Sequence, residues 1–171
     1  MKVAESLADR EITVRHWNLR EAPLPIADPE FHNDPAQHAD PTVREFVTVA
    51  DSCDAFVLSS PIYHNSYSGV LKNALDHLAI AQFYYKPVGL LSHGGNRSPQ
   101  AVDHLRIVVR GLLGFAITTH VCTGSSDYRN TDDGSYELKA EEILSRIERF
   151  TTELVMLAQT FRVVRQNLLS G

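Results

Sequence analysis

A chain of 171 residues, 43% hydrophobic and 22% charged, has the make-up of one globular domain large enough to bury a real core. A net charge of −5 offers nucleic acid no basic face, so that class of partner is excluded. No apolar run reaches the roughly 18 residues of a membrane span, and no leader pattern opens the sequence; Cys53 and Cys122 are too few for a disulfide framework, so a cytoplasmic protein with buried free thiols and no membrane partner is the expectation.

Taken in order, residues 1–10 read as the tail of a helix, with Val3, Ala4, Leu7 and Ala8 on one side. Residues 11–19 alternate Ile12, Val14, His16 and Asn18 against Thr13, Arg15, Trp17 and Leu19, the pattern of a strand near a sheet edge. Pro23, Pro25, Pro29, Pro35 and Pro41 then rule out helix and interior strand, and predict a long surface loop rimming a site or a subunit contact. Asp40 is placed to cap a helix with Pro41 at its first position and Val43, Phe46, Val47 and Ala50 on the buried side.

Residues 55–58 form a short apolar run suited to a strand buried on both faces, stopped by two serines and Pro61. Beyond a polar turn, Val70, Leu71, Ala74, Leu75 and Leu78 recur at helical spacing, and Lys72 and Asp76 stand four apart as a surface ion pair. A second buried strand over 88–92 ends in the loop His93-Gly94-Gly95-Asn96-Arg97. Ser98-Pro99 opens a helix whose apolar positions are Val102, Leu105, Ile107, Val108, Val109 and Leu112. Residues 115–121 alternate as a strand and 124–136 read as a polar loop. Residues 138–165 form a long amphipathic helix with Ile143, Ile147, Phe150, Leu154 and Leu157 on one stripe. Strands alternating with helices over residues 1–171 predict a single α/β domain built on a doubly wound parallel sheet.

Two loops, 61–69 and 92–97, each follow a buried strand and precede a helix, which sets both along the carboxyl edge of the sheet, where such folds bind ligands. Backbone amides, hydroxyls, side-chain amides and an aromatic ring there suit a flat heteroaromatic ligand with carbonyl and imide edges. Plain connections between strand and helix would use the same turn residues. The patterns Gly-x-Ser-x-Gly, His-Glu-x-x-His and Cys-x-x-Cys do not occur. His32 and His38 lack further ligands at metal-binding spacing, and Arg106 and Arg110 read as a solvated helix face rather than a nicotinamide-phosphate clamp.

The run Ser60-Pro61-Ile62-Tyr63-His64-Asn65-Ser66-Tyr67-Ser68-Gly69-Val70-Leu71-Lys72-Asn73-Ala74-Leu75-Asp76 resembles the signature of the NAD(P)H-dependent FMN reductase family. That signature, Ser/Thr-Pro-x-Tyr-x-x-Ser-x-x-Gly-x-Leu-Lys-Asn-Ala-Ile/Leu-Asp, is met at each fixed position. Lys86-Pro87-Val88 and Ser92-His93-Gly94-Gly95 look like the same family's next strand and flavin loop. The resemblance implies a flavodoxin-like, three-layer α/β/α fold with FMN at the carboxyl edge of the sheet. It implies Pro61, Ile62, Tyr63, His64, Asn65 and Ser66 around the isoalloxazine, and Ser92, Gly94, Gly95 and Asn96 at its pyrimidine end. Because the cofactor carries the redox chemistry, no catalytic side chain and no metal ligand are expected.

The implied activity is FMN-dependent oxidoreduction, with NADPH or NADH as donor and flavin, a quinone or a similar small molecule as acceptor. The implied assembly is a homodimer or tetramer through a helix over residues 68–82. The family's first strand and its Gly-Ser-x-Arg phosphate loop belong ahead of the helix at residues 1–10; they are expected upstream of residue 1. In a 2-1-3-4-5 sheet that strand is central, and its position outside the sequence motivates the rival expectation, a flavodoxin-like binding or assembly partner without turnover.

Overall fold

Short apolar runs bounded by small polar residues become the parallel strands of the sheet. The computed structural model describes residues 2–10 and 12–169. In chain order the main elements are α1 (Lys2–Ala8), α2 (Pro41–Ser52), β1 (Phe56–Tyr63), β2 (Ser66–Tyr67), α3 (Gly69–Asp76), α4 (Ile80–Phe83) and β3 (Pro87–Gly94). They continue with α5 (Gln100–Gly111), β4 (Phe115–Ala116), β5 (Val121–Gly124), β6 (Tyr128–Asn130), β7 (Tyr136–Leu138) and α6 (Glu141–Leu169).

β3 is the centre of the sheet. It pairs in parallel with β1 from Phe56↔Val88 to Pro61↔His93, and on its other side with β4 and then with β5, from Leu91↔Val121 to Gly94↔Gly124. β2 turns back antiparallel on the end of β1. Successive strand residues point to opposite faces. Leu58, Val88 and Leu90 meet Val43 and Val47 of α2, Leu71 and Leu75 of α3, and Val102, Leu105 and Val109 of α5. On the opposite face Val57, Leu91 and Val121 meet Ile143, Ile147, Phe150 and Leu154 of α6, with Val3 of α1 alongside. Two cores on either side of one sheet make the three-layer, doubly wound arrangement expected from the sequence.

Several segments depart from expectation, and each has a physical cause. Residues 12–17 form no regular element and pair with no strand among the described residues, and Ile12 and Val14 are 36% and 38% exposed. Alternation cannot hold a strand whose backbone has no neighbour to bond; Glu11 lies outside the described residues. Trp17 does pack, edge-on to Phe46 with ring centroids 5.1 Å apart. β1 continues past Ser59 and Ser60 through Pro61 to Tyr63, where the expected strand stopped at Leu58. From Phe56 to Ser60 its outer edge has no partner among the described residues, and an edge strand tolerates a proline.

The helix expected over 68–82 is two helices. Ala79 between them is extended (φ −108°, ψ 178°), and its amide donates to Gln82 Oε1 at 2.8 Å. The strand expected over 115–121 is two short ladders, because side chains replace the sheet partner between them. Glu153 accepts the amides of Thr118 (2.8 Å) and Thr119 (3.0 Å), and Arg106 donates to Ile117 O (2.9 Å) and Thr118 O (3.1 Å). Arg106 is therefore a structural group and not part of a solvated face. The polar loop after Gly124 contains a 3-10 turn, Ser125–Asp127, and the antiparallel ribbon of β6 and β7. Leu138 ends that ribbon, so α6 starts at Glu141 and runs on to Leu169. Ile107 is exposed rather than core, and on α1 Ser6 is buried where Ala8 was expected, bonded to Thr151 Oγ1 (3.0 Å) and Glu148 Oε1 (2.9 Å).

The proline-rich loop has two 3-10 turns, Pro29–Phe31 and Pro35–Gln37, and is tied to α3. Asn73 accepts the Ala27 amide at 2.9 Å and donates to Pro25 O at 2.7 Å, and His77 Nε2 lies 2.9 Å from the same carbonyl. His38 is buried between Phe31 and His77 and accepts the Asp40 amide at 3.0 Å. Among the described residues no three potential metal ligands come together, and no helix is long and apolar enough to cross a membrane.

Candidate functional site

The parallel register decides which loops meet. Pro61 lies level with His93 and His93 with Thr123, so the segments after β1, β3 and β5 leave the same edge of the sheet side by side. The connection after β1 is a hairpin in which Tyr63 pairs with Ser66 and His64 and Asn65 form the turn. Both turn residues are left-handed, at φ 49° and 64°. A two-residue hairpin with positive φ at both positions matches strand twist, but it is unusual without glycine and costs on the order of 1 kcal/mol at each residue. Such local strain at a rim is held in place by its surroundings. Ser60 Oγ accepts the buried Ser68 amide at 2.8 Å, which closes the loop from behind. Ser66 Oγ lies 2.9 Å from His104 Nδ1 and pins the hairpin to α5. Ser68 caps α3 by accepting the Leu71 amide.

The second loop packs on the first through glycine. A Cβ added at Gly94 would stand 3.2 Å from Ile62 Cδ1, and one added at Gly124 would stand 3.1 Å from Asn96 Cα, so Gly94 makes room for the Ile62 side chain and Gly124 for the backbone of the neighbouring loop. Ser92 is buried and donates to Ser98 O at 3.2 Å, holding the loop's two ends together from inside. The third segment is braced by charge. Asp127 accepts from Arg97 Nε (2.9 Å) and from the Gly124 amide (2.8 Å), and Arg97 also reaches Glu142 at 2.7 Å. The Arg97 guanidinium holds the Asp127 carboxyl below the usual carboxylate range. Thr123 Oγ1 bridges the strands, 3.0 Å from His93 Nδ1 and accepting from Tyr128 at 3.2 Å.

The ten residues expected at the site therefore divide by what their side chains do. Tyr63 (61% exposed), His64, Asn65 and Asn96 stand in solvent, and their side chains make no hydrogen bond among the described residues. Gly95 is exposed and Gly94 forms the loop-to-loop contact. Pro61, Ile62, Ser66 and Ser92 shape the loops, Ser66 and Ser92 with their hydroxyls already engaged inside the protein. Arg97, His104, Thr123 and Asp127 brace these loops and were not expected from the sequence, since their partners lie 30 to 45 positions away. Only the spacing of Gly124 and Asp127, a glycine followed three residues later by a carboxylate, carried a local signal of a closed turn.

Amide, imidazole and phenol groups open to solvent on braced loops at one edge of the sheet can pair with the edges of a flat ring. The sequence profile of the family described as NADPH-dependent FMN reductase matches residues 1–127. The chain is 38% identical over 148 residues to an FMN-dependent NADPH-azoreductase of Staphylococcus saprophyticus, covering 86% of this chain and 79% of that one. It is 36% identical over 154 residues to the enzyme of that name from Staphylococcus aureus, covering 90% and 82%. The flavoenzyme NAD(P)H:(acceptor) oxidoreductase FerB of Paracoccus denitrificans superposes with a TM-score of 0.71 at 20% identity, over 94% of this chain and 88% of its own, which speaks for the fold. On its sequence, the chain belongs to the NADPH-dependent FMN reductase family.

Proposed function

We propose that this FMN-dependent NAD(P)H oxidoreductase holds the ring system of FMN between the 61–66 hairpin and the 92–96 loop, and that it delivers electrons to an azo compound, a quinone or free flavin. The common register of β1, β3 and β5 supports this reading most directly, because both loops leave the same edge of the sheet. FMN, when bound here, would supply the redox chemistry. The chain's own groups bind and orient. Asn65 and Asn96 offer amide donors and acceptors to the ring edges, Tyr63 offers an aromatic face, and Ile62 lies close against Gly94 where the two loops meet. None of them has to gain or lose a proton for hydride to move, so their task is alignment. The azo substrate class rests on the relatives' names.

We further place the protein in the cytoplasm, where its two free thiols, Cys53 and Cys122, stay reduced. We assign it a homo-oligomeric state through the face where Val70 and Ile80 are exposed beside the docked proline-rich loop. The first experiment is titration of the purified protein with FMN, followed by NADPH and an azo dye. Quenched flavin fluorescence, NADPH consumption and bleaching of the dye are expected, and Asn65→Ala with Asn96→Ala should weaken FMN binding. Unquenched flavin together with unconsumed NADPH would overturn the assignment. Light scattering on wild type and Val70→Glu reads the oligomer, and a monomeric wild type would remove that part.

A further inference from the structure

Beside the flavin crevice lies a second concavity, a cleft of about 440 Å³ between the start of α5, the outer edge of β5 and the first turns of α6. Its walls include Arg97, His120, Cys122, Glu142, Arg146 and Arg149. Arg97 follows directly on the 92–96 loop, so the cleft opens where the proposed ring site ends. From Glu142, which Arg97 holds, Arg146 is one turn further along α6 and Arg149 nearly two, a rise of about 10 Å.

The charges in the cleft are unequal along that path. At the crevice end Arg97 is neutralised by Asp127 and Glu142. At the far end no carboxylate lies within ion-pair distance of Arg146, Arg149 or the neighbouring Arg106 among the described residues. Among the described residues Arg146 makes one long hydrogen bond, to His120 O (3.3 Å), and Arg149 makes none. His120, already disfavoured as a cation by burial, is pushed further below its ordinary value by Arg106 and then Arg146. Two guanidinium groups without an ion-pair partner, Arg146 and Arg149, line one cleft with Arg106 behind it, and guanidinium is the group that recognises phosphate through paired donors.

We infer that the Arg146–Arg149 end of this cleft binds a phosphate monoester dianion, the ribose 2′-phosphate that distinguishes NADPH from NADH. The assignment rests on the reading that the flavin ring lies at the 92–96 loop, because that fixes where the nicotinamide end starts. The pyrophosphate and adenosine then pass Arg97 and follow α6, and the 2′-phosphate replaces the missing counter-charge. Arg106, which the sequence singled out, acts from behind through the carbonyls of residues 117 and 118.

Calorimetric titration of the purified protein without flavin tests this independently of turnover, with 2′,5′-ADP, 5′-ADP and inorganic phosphate as probes. Wild type should bind 2′,5′-ADP most tightly, and Arg146→Gln with Arg149→Gln should weaken it by at least about tenfold, the loss of one charged hydrogen bond or more. Arg149→Lys should keep part of the affinity. The ratio of kcat/KM for NADPH to that for NADH should fall by a similar factor in the double variant, with the unfolding midpoint as the check on folding. Equal affinity for 2′,5′-ADP and 5′-ADP, phosphate binding as tightly as 2′,5′-ADP, or arginine variants that bind like wild type would each overturn the inference. A wild type that binds 2′,5′-ADP through these arginines yet oxidises no NADPH would count against the oxidoreductase reading and in favour of this one.

Discussion

Asp127 is 2% exposed, and its carboxylate is fully engaged by Arg97 and by the Gly124 amide. Replacing it with asparagine keeps the size but removes the charge and turns an amide group toward the guanidinium. A buried charged acceptor of this kind is worth about 2–4 kcal/mol when lost; part is recovered because water reaches Arg97, whose side chain is 40% exposed. Asp127→Asn should therefore lower the urea midpoint clearly without altering the fold. The pH dependence follows from the direction of the shift. Arg97 depresses the folded-state pKa, so the stabilisation is present above the unfolded value of about 3.9 and is lost as pH falls through the lower folded value. Wild type should lose stability in acid below about pH 4, and the asparagine variant should lose less over the same interval. Parallel acid limbs for the two proteins would contradict this account.

At the scale of elements, α3 carries the proline-rich loop. Asn73 stands at the point of the sequence signature where a helix-surface amide looks like decoration. In the structure it accepts from Ala27 and donates to Pro25, binding residues 46 and 48 positions earlier. Asn73→Ala leaves the part-buried Ala27 amide without its acceptor, while His77 Nε2 stays against Pro25 O, and the loss costs about 1–3 kcal/mol. The loss should appear in hydrogen exchange as faster loss of protection at the Ala27 amide, with β3 unchanged; equal protection would mean the loop is held by something else. Here the limits of sequence reading have a physical form. Leu58, Val88, Leu90 and the stripe Ile143, Ile147, Phe150, Leu154 were legible because burial writes a local periodicity. The break after Ala116 was not, because Glu153 and Arg106 replace the ladder from 35 and 11 residues away. The same holds for the crevice. Its loops were visible as punctuation after buried strands, whereas the braces Arg97–Asp127 and Ser66–His104 are long-range pairs that leave no pattern near either residue.

At the scale of the molecule, order should fall off from β3 outward. β3 is flanked by strands on both sides and covered on both faces, with Val88 and Leu90 fully buried. Opening it exposes both cores at once, so the amides of residues 88–91 should exchange only through global unfolding. β1 contributes to both cores through Leu58 and Val57 but bonds a strand on one side only between Phe56 and Ser60. Along a strand successive amides point to opposite sides, so in this stretch those facing the open edge have water as their partner. They should exchange many times faster than those facing β3, alternating residue by residue. An unpaired edge is also a template for another strand. If the alternation is seen only at high dilution and vanishes as the protein is concentrated, a second copy is pairing there, and the oligomer is built through β1 rather than through the Val70–Ile80 face. If every β1 amide is as slow as those of β3 even at high dilution, the description of β1 as an open edge is wrong.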